Sequence, residues 1–237
     1  MADQSVNIPE YIINTGSGYV EVLEGLPNVD TGFDADTILY ISQLSPVPSM
    51  VFQTAINTLI VSMKADGNWY QLDRFWIHAT EYQQNARISL KNPSATAITE
   101  VNSPTWVANQ GYTGNGTTQY LNSNYNTTTN SVLFTQNSGS IGVYITTNVN
   151  EDRDDIGNLS ASTANIVRSR RTANTQTGAL NQASAILVAR TDSRGLSASM
   201  RTGAAAMAIY KNGVSVNTGV NASTALPNLN IYIMALN

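Results

Sequence analysis

The residues that could carry chemistry are few, and their spacing limits what they can do. Beyond Glu100 the acids are only Glu151, Asp152, Asp154, Asp155 and Asp192, and the first four crowd one polar loop. Sugar hydrolysis needs two carboxylates facing each other across one ring, about 5 to 10 Å apart. A single crowded loop does not provide that frame. The one histidine, His78, sits in Arg74-Phe75-Trp76-Ile77-His78 among aromatic and aliphatic neighbours, and no Gly-x-Ser-x-Gly elbow accompanies it. It reads as a packed or interfacial histidine, and the chain as a non-enzyme with no catalytic residues.

Three further clusters could bind something. The loop Glu151-Asp152-Arg153-Asp154-Asp155 offers hard oxygen ligands, but it lacks EF-hand spacing and carries Arg153 at its centre, so it reads as a solvated turn. Arg168, Arg170 and Arg171 form the one basic cluster, in which Arg168 and Arg170 would share a strand face. That cluster reads as an exposed face, with an anionic glycan as the sharper alternative. Trp106, Tyr112, Tyr120 and Tyr125 lie in turn-rich sequence, where rings can stack on sugar faces, and they are the candidate glycan contacts. The bland reading of the same four is core packing or cross-strand pairing.

Composition narrows the class. Charged residues make up 12% of the 237-residue chain, about half the usual share, while Asn and Thr each supply roughly one residue in nine. Such a mixture suits strands and turns better than long amphipathic helices. A net charge of −4 and a pI near 4.9 provide no cationic footprint for nucleic acid. With no cysteine there are no disulfides and no thiolate metal sites, and no cofactor is expected. No signal peptide is read at the N-terminus and no run of roughly 18 apolar residues suggests a membrane span. The expectation is a soluble protein made in a host cytoplasm.

The elements that must position these residues are mostly strands. Residues 1–48 read as a small strand-rich extension, with β-like stretches at Tyr11 to Asn14 and Gly18 to Leu23 and a turn-rich acidic stretch at Gly25 to Asp36. Ser45-Pro46-Val47-Pro48 marks its boundary. Residues 49–100 hold a helix and a linker: Val51, Phe52, Ala55, Ile56, Leu59, Ile60 and Met63 share one face, Ser49 is the N-cap and Gly67 the left-handed stop. Packing on a sheet is the expected use of that face. Residues 101–237 read as an antiparallel β-sandwich. Its strands are expected at Trp106 to Tyr112, Gln119 to Tyr125, Val132 to Thr135, Ser140 to Thr146, Ile166 to Arg170, Ala185 to Thr191, Ala206 to Lys211, Val214 to Thr218 and Asn230 to Ala235. Asn212-Gly213 is the preferred two-residue hairpin turn.

Several stretches in order carry a resemblance: Ala55 to Ile60, Gly67-Asn68-Trp69-Tyr70, Ser89-Leu90-Lys91-Asn92-Pro93, Val101 to Trp106, Gly111 to Leu121, and Asn212-Gly213. Over about Met50 to Asn237 the chain resembles phage virion proteins, head and tail appendages with a laminin-G or concanavalin-like jelly roll. The resemblance implies a structural component of a bacteriophage virion, a head or tail fibre exposing an adhesion domain, with a virion location. Its implied partners are capsid or tail proteins bound through the N-terminal extension, further copies of itself in a homo-oligomer, and a host-surface glycan. A non-catalytic carbohydrate-binding module is the alternative, and a glycan hydrolase a more distant one. Hydrolases of that fold usually carry Glu-x-Asp-x-x-Glu along one strand, which this chain lacks. Laminin-G-like sandwiches often hold calcium at a rim, which makes calcium the one cofactor the resemblance raises for the 151–155 loop. Such proteins also continue past the strand at Asn230 to Leu236. The apolar edge there is therefore expected to be covered by the first segment of this chain or by a neighbouring subunit.

Overall fold

Residues 12–14, 19–21 and 32–237 are described in the computed structural model, which is mainly β with antiparallel sheets and two helices. In chain order these are β1 (Ile12–Asn14), β2 (Tyr19–Glu21), α1 (Ala35–Ser42), α2 (Met50–Ala65), β3 (Thr99–Val101), β4 (Thr105–Val107), β5 (Gly111–Thr113), β6 (Tyr120–Asn126), β7 (Gly139–Ile145), β8 (Ile156–Ser160), β9 (Thr163–Arg171), β10 (Thr175–Gln182), β11 (Ile186–Ala189), β12 (Gly195–Gly203), β13 (Ala206–Lys211), β14 (Val214–Gly219) and β15 (Asn230–Ile233). β1 and β2 fall within the two β-like stretches of the extension and pair antiparallel with each other. The rest of residues 1–31 lies outside the described residues. Among those described, no helix is long and apolar enough to cross a membrane.

α2 begins as its sequence requires: the Ser49 hydroxyl accepts from the Phe52 N–H at 3.3 Å, and Gly67 follows the helix at φ 75°. Its apolar face does not lie on a sheet, however. Ile56 and Ile60 pack with Tyr40, Ile41 and Leu44 from the α1 region and with Trp69, Ile88 and Leu90 from the chain that follows. This core crosses Pro48, so the expected boundary there is an interhelical connection, and residues 33–47 pack with 52–97. α1 falls partly in a stretch expected to be turn. Asp34 caps it, accepting from the Asp36 N–H at 2.9 Å, and both carboxylates hold Lys64 of α2 at 2.6 Å. The acids that suggested a turn serve instead as a cap and its ion pair.

Two larger sheets share a second core. One has the order β11-β10-β9-β8-β15-β6-β3 and the other β14-β13-β12-β7, every pair antiparallel. Leu121, Ile141, Val167, Leu180, Ile209, Ile231 and Ile233 meet between them. β4 and β5 make a separate hairpin, so the strand expected over Trp106 to Tyr112 is two short ones, turning through Asn109 at φ 60° and Gly111 at φ 102°. Asn212 and Gly213 take φ 50° and 81° between β13 and β14, which is the hairpin turn expected of that pair.

Two expectations fail here for physical reasons. Val132 to Thr135 forms no strand, because the N–H groups of Val132, Leu133 and Phe134 donate to the Asp73 carboxylate at 3.0–3.2 Å. And the C-terminal strand is no uncovered edge. β15 lies inside the seven-stranded sheet, paired with β6 on one side and β8 on the other, with Ile231 and Ile233 buried. Neither the first segment nor a second subunit is needed to cover it. Leu236 folds back onto Ala164, Ile166 and Ala179, and the Asn237 carbonyl accepts from the Leu159 N–H at 2.9 Å.

Candidate functional site

The four-stranded sheet stops at β7 while the facing sheet runs on, which leaves a cleft of about 240 Å³ beside the β4–β5 hairpin. Its walls are Val143 to Thr147 and Gln110 to Gly114, its floor includes Leu121 and Ile233, and the acidic loop closes one end with Glu151, Arg153, Asp154 and Asp155. Of the sequence candidates, His78, Tyr112, Arg170 and the acidic-loop residues Glu151, Asp154 and Asp155 reach this cleft.

The four candidate aromatics do not converge. Tyr112 donates its hydroxyl to Glu100 and meets His78 edge-on at 5.6 Å, and burial followed by the Glu100 carboxylate pushes its phenol well above the ordinary range. Trp106 donates its indole N–H to the His78 carbonyl at 3.1 Å. Tyr125 is a core residue: its ring is buried under the Arg74 guanidinium and its hydroxyl donates to Asp73 at 2.8 Å. Burial and then the Asp73 carboxylate raise this phenol too. Only Tyr120 keeps an outward position, on the solvent face of the seven-stranded sheet. There it stacks on Tyr232 with ring centroids 4.4 Å apart. Tyr232 was missed, although the alternation with Ile231 and Ile233 places it on that face.

The acidic loop and the basic cluster answer each other. Arg168 binds Asp154 at 2.6 Å and Arg171 binds Asp152 at 2.6 Å, while Arg170 donates to the side-chain oxygens of Asn148 and Asn174. The Arg171 guanidinium holds Asp152 below the usual carboxylate range. Asp155 goes the other way, because burial raises it against the opposing bonds from the Ser169 N–H and hydroxyl. The loop expected to be a solvated turn is thus largely an ion-paired clasp onto β9. Among the described residues no group of three or more His, Asp or Glu side chains is placed to hold a metal ion. His78 is half-buried, with Nδ1 2.9 Å from the Ala86 carbonyl, and burial lowers its pKa.

The polar groups that sequence reasoning missed lie deeper. Arg201 of β12, 1% exposed, donates to the carbonyls of Leu180, Gly203, Ala204 and Asn221 and to the Gln182 side chain. Lys211 donates to the Ser193 carbonyl at 2.7 Å and to Ser197 at 3.1 Å. Burial lowers the pKa of both. Comparison with protein-family models, curated proteins and solved structures finds no match to this chain.

Proposed function

We propose that the chain is a structural component of a bacteriophage virion, a head or tail appendage whose sandwich is a laminin-G or concanavalin-like jelly roll facing outward and whose N-terminal segment docks on the particle. One observation carries this reading: the side chains with chemical potential are spent on holding the fold together. Asp73 ties the helical unit to the sandwich, Asp152 and Asp154 clasp β9, and the Arg201 guanidinium braces β12 against β10. Rigid internal bracing of this kind suits a part that must survive outside a cell. The ordered motifs between Ala55 and Gly213 supply the setting.

Mass spectrometry and immunogold labelling of purified particles test the proposal directly. The chain should be present at a fixed ratio to capsid or tail protein, and its absence from intact particles would overturn the reading. Deleting residues 1–31, which spares the core beginning at Phe33, should leave a folded protein that no longer joins the particle.

A non-catalytic carbohydrate-binding module is the second reading, favoured by the Tyr120–Tyr232 pair. Beside it the Asn230 side chain donates to that of Asn122 at 3.1 Å, which sets amides next to rings on an open sheet face. Binding on a glycan array that disappears in Tyr232→Ala would support it.

A further inference from the structure

We propose that β7 is an acceptor edge, and that the strand it accepts is the β1–β2 hairpin of a second copy of this chain. Among the described residues β7 has one neighbour, β12, in unbroken register from Gly139↔Arg201 to Ile145↔Gly195. Its sequence, Gly-Ser-Ile-Gly-Val-Tyr-Ile, has no charge and no proline. Natural edges are normally blunted by lysine, proline, a bulge or a very short strand, and a long plain edge is a template for another strand. None of these devices is present in β7.

The cleft beside it has the form of a missing strand. Consecutive residues, Val143 to Thr147 on one wall and Gln110 to Gly114 on the other, border the same space. Successive side chains of a strand point to opposite faces, so a continuous run can line one cleft only along its edge. Two strand edges therefore face each other across it. The floor, Leu121 and Ile233, belongs to the core of the facing sheet. An extended segment lying there would set every second side chain on that floor and bond its backbone to β7, the geometry of strand addition.

The occupant follows from what the rest of the chain lacks. β1 and β2 form a two-stranded sheet by themselves, with three residue pairs, and a lone hairpin is marginal in water without a third strand or a packing surface. Charge favours the same match. Residues 1–31 hold Asp3, Glu10, Glu21, Glu24 and Asp30 and no lysine or arginine, with Glu21 in β2 and the other four flanking the hairpin in sequence. At the cleft, Arg153 and Arg170 have no carboxylate within ion-pair distance among the described residues, whereas Asp154 is taken by Arg168 and Asp155 by the Ser169 amide. Glu151 is the one rim acid that opposes this. Among the described residues the hairpin pairs with itself and not with the β7 of its own chain, and the proposed donor is another copy.

The absence of cysteine makes the test clean. Full-length chains carrying Val20→Cys or Ile13→Cys, with one affinity tag, are mixed with chains carrying Tyr144→Cys and a second tag, then oxidised. Mixed disulfides bearing both tags are expected, with a native mass that is a multiple of the single chain. Adding Ser140→Lys to the Tyr144→Cys chain, an exposed change on β7, should cut the mixed product severalfold and shift the mass toward monomer while the circular dichroism stays unchanged. A third chain carrying both Val20→Cys and Tyr144→Cys is oxidised alone as a control, and three results overturn the proposal: a disulfide that closes only within that single chain, Tyr144→Cys chains joining one another in preference, or a monomer with no mixed disulfide at either donor position. None of them bears on whether the chain belongs to a virion.

Discussion

The helical unit and the sandwich bury different chemistry. Between α1, α2 and the chain up to Ala97, an apolar cluster of Tyr40, Ile41, Ile56, Ile60, Trp69 and Leu90 lies among buried polar side chains that are all neutral: Thr37, Gln53, Thr80, Asn85 and Ser89. In the sandwich, β12 is turned inside out. Ser197, Ser199 and Arg201 point into the interior, while Leu196 and Met200 face solvent at 40% and 37% exposure. Gly178 of β10 makes room for this, because a Cβ there would lie 2.3 Å from the Ser199 hydroxyl, which donates to the Ile166 carbonyl. Among the described residues the first region buries no charged side chain and leans on burial of apolar surface, which is non-directional. The other depends on buried donors that must each find an acceptor.

That contrast can be broken at several points. Arg201→Ala should have the largest effect, a loss of about 5 kcal/mol, since it strands the buried Leu180 carbonyl and Gln182 side chain, frees three part-buried carbonyls and opens a cavity. Chemical denaturation with the slope compared against wild type measures it, and a loss below about 2 kcal/mol would mean that water replaces the guanidinium. Trp69→Ala, which also removes the indole bond to Asp36, should cost about 4 kcal/mol, confined to the helical unit. Hydrogen exchange should then rise in α1 and α2 and not in β9 or β10.

Asp73→Ala sharpens the comparison, because Asp73 receives Tyr125 and three N–H groups of residues 132–134 from the sandwich side. A loss of about 2 kcal/mol is expected, with unfolding separating into two calorimetric transitions. A single transition would show that packing alone couples the units. Smallest is a pH effect. Burial works against the charged Lys64 ammonium, but its bonds to Asp34 and Asp36 outweigh this and raise its pKa. A cation whose folded pKa is raised stabilises fully below its unfolded value near 10.5 and loses that contribution as pH climbs through the folded value. Alkali should therefore loosen α1 against α2 first, and Lys64→Met should remove that pH dependence.

The places where sequence reading succeeded and failed follow the same divide. Helix α2, its Ser49 cap and the Asn212-Gly213 turn were legible because each is a local pattern with a local cause: periodicity, a capping oxygen, two positive φ angles. β6, β7, β9, β11, β13, β14 and β15 lie at or near expected strands for the same reason. β8, β10 and β12 were not legible. In Thr175–Gln182 and Gly195–Gly203 the buried positions include Gln176, Asn181, Ser197 and Arg201, so the alternation of apolar and polar residues that marks a strand is missing or inverted.

What the sequence determined by itself, then, was the chemistry available: no thiol, one histidine, few charges, and enough Asn, Thr and Ser to favour strands and turns. It also determined some features whose cause lies within a few residues, the Ser49 cap and the Asn212-Gly213 turn among them. Tertiary structure decided the partners. It put Arg168 on Asp154, Tyr125 on Asp73 and β15 between β6 and β8, joining residues 14, 52 and some 108 positions apart. It likewise decided that, among the described residues, β7 has a neighbour on one side only. Hydrogen bonds and ion pairs are satisfied across space rather than along the chain, so a residue's type states what it can bond, and only the fold states what it does.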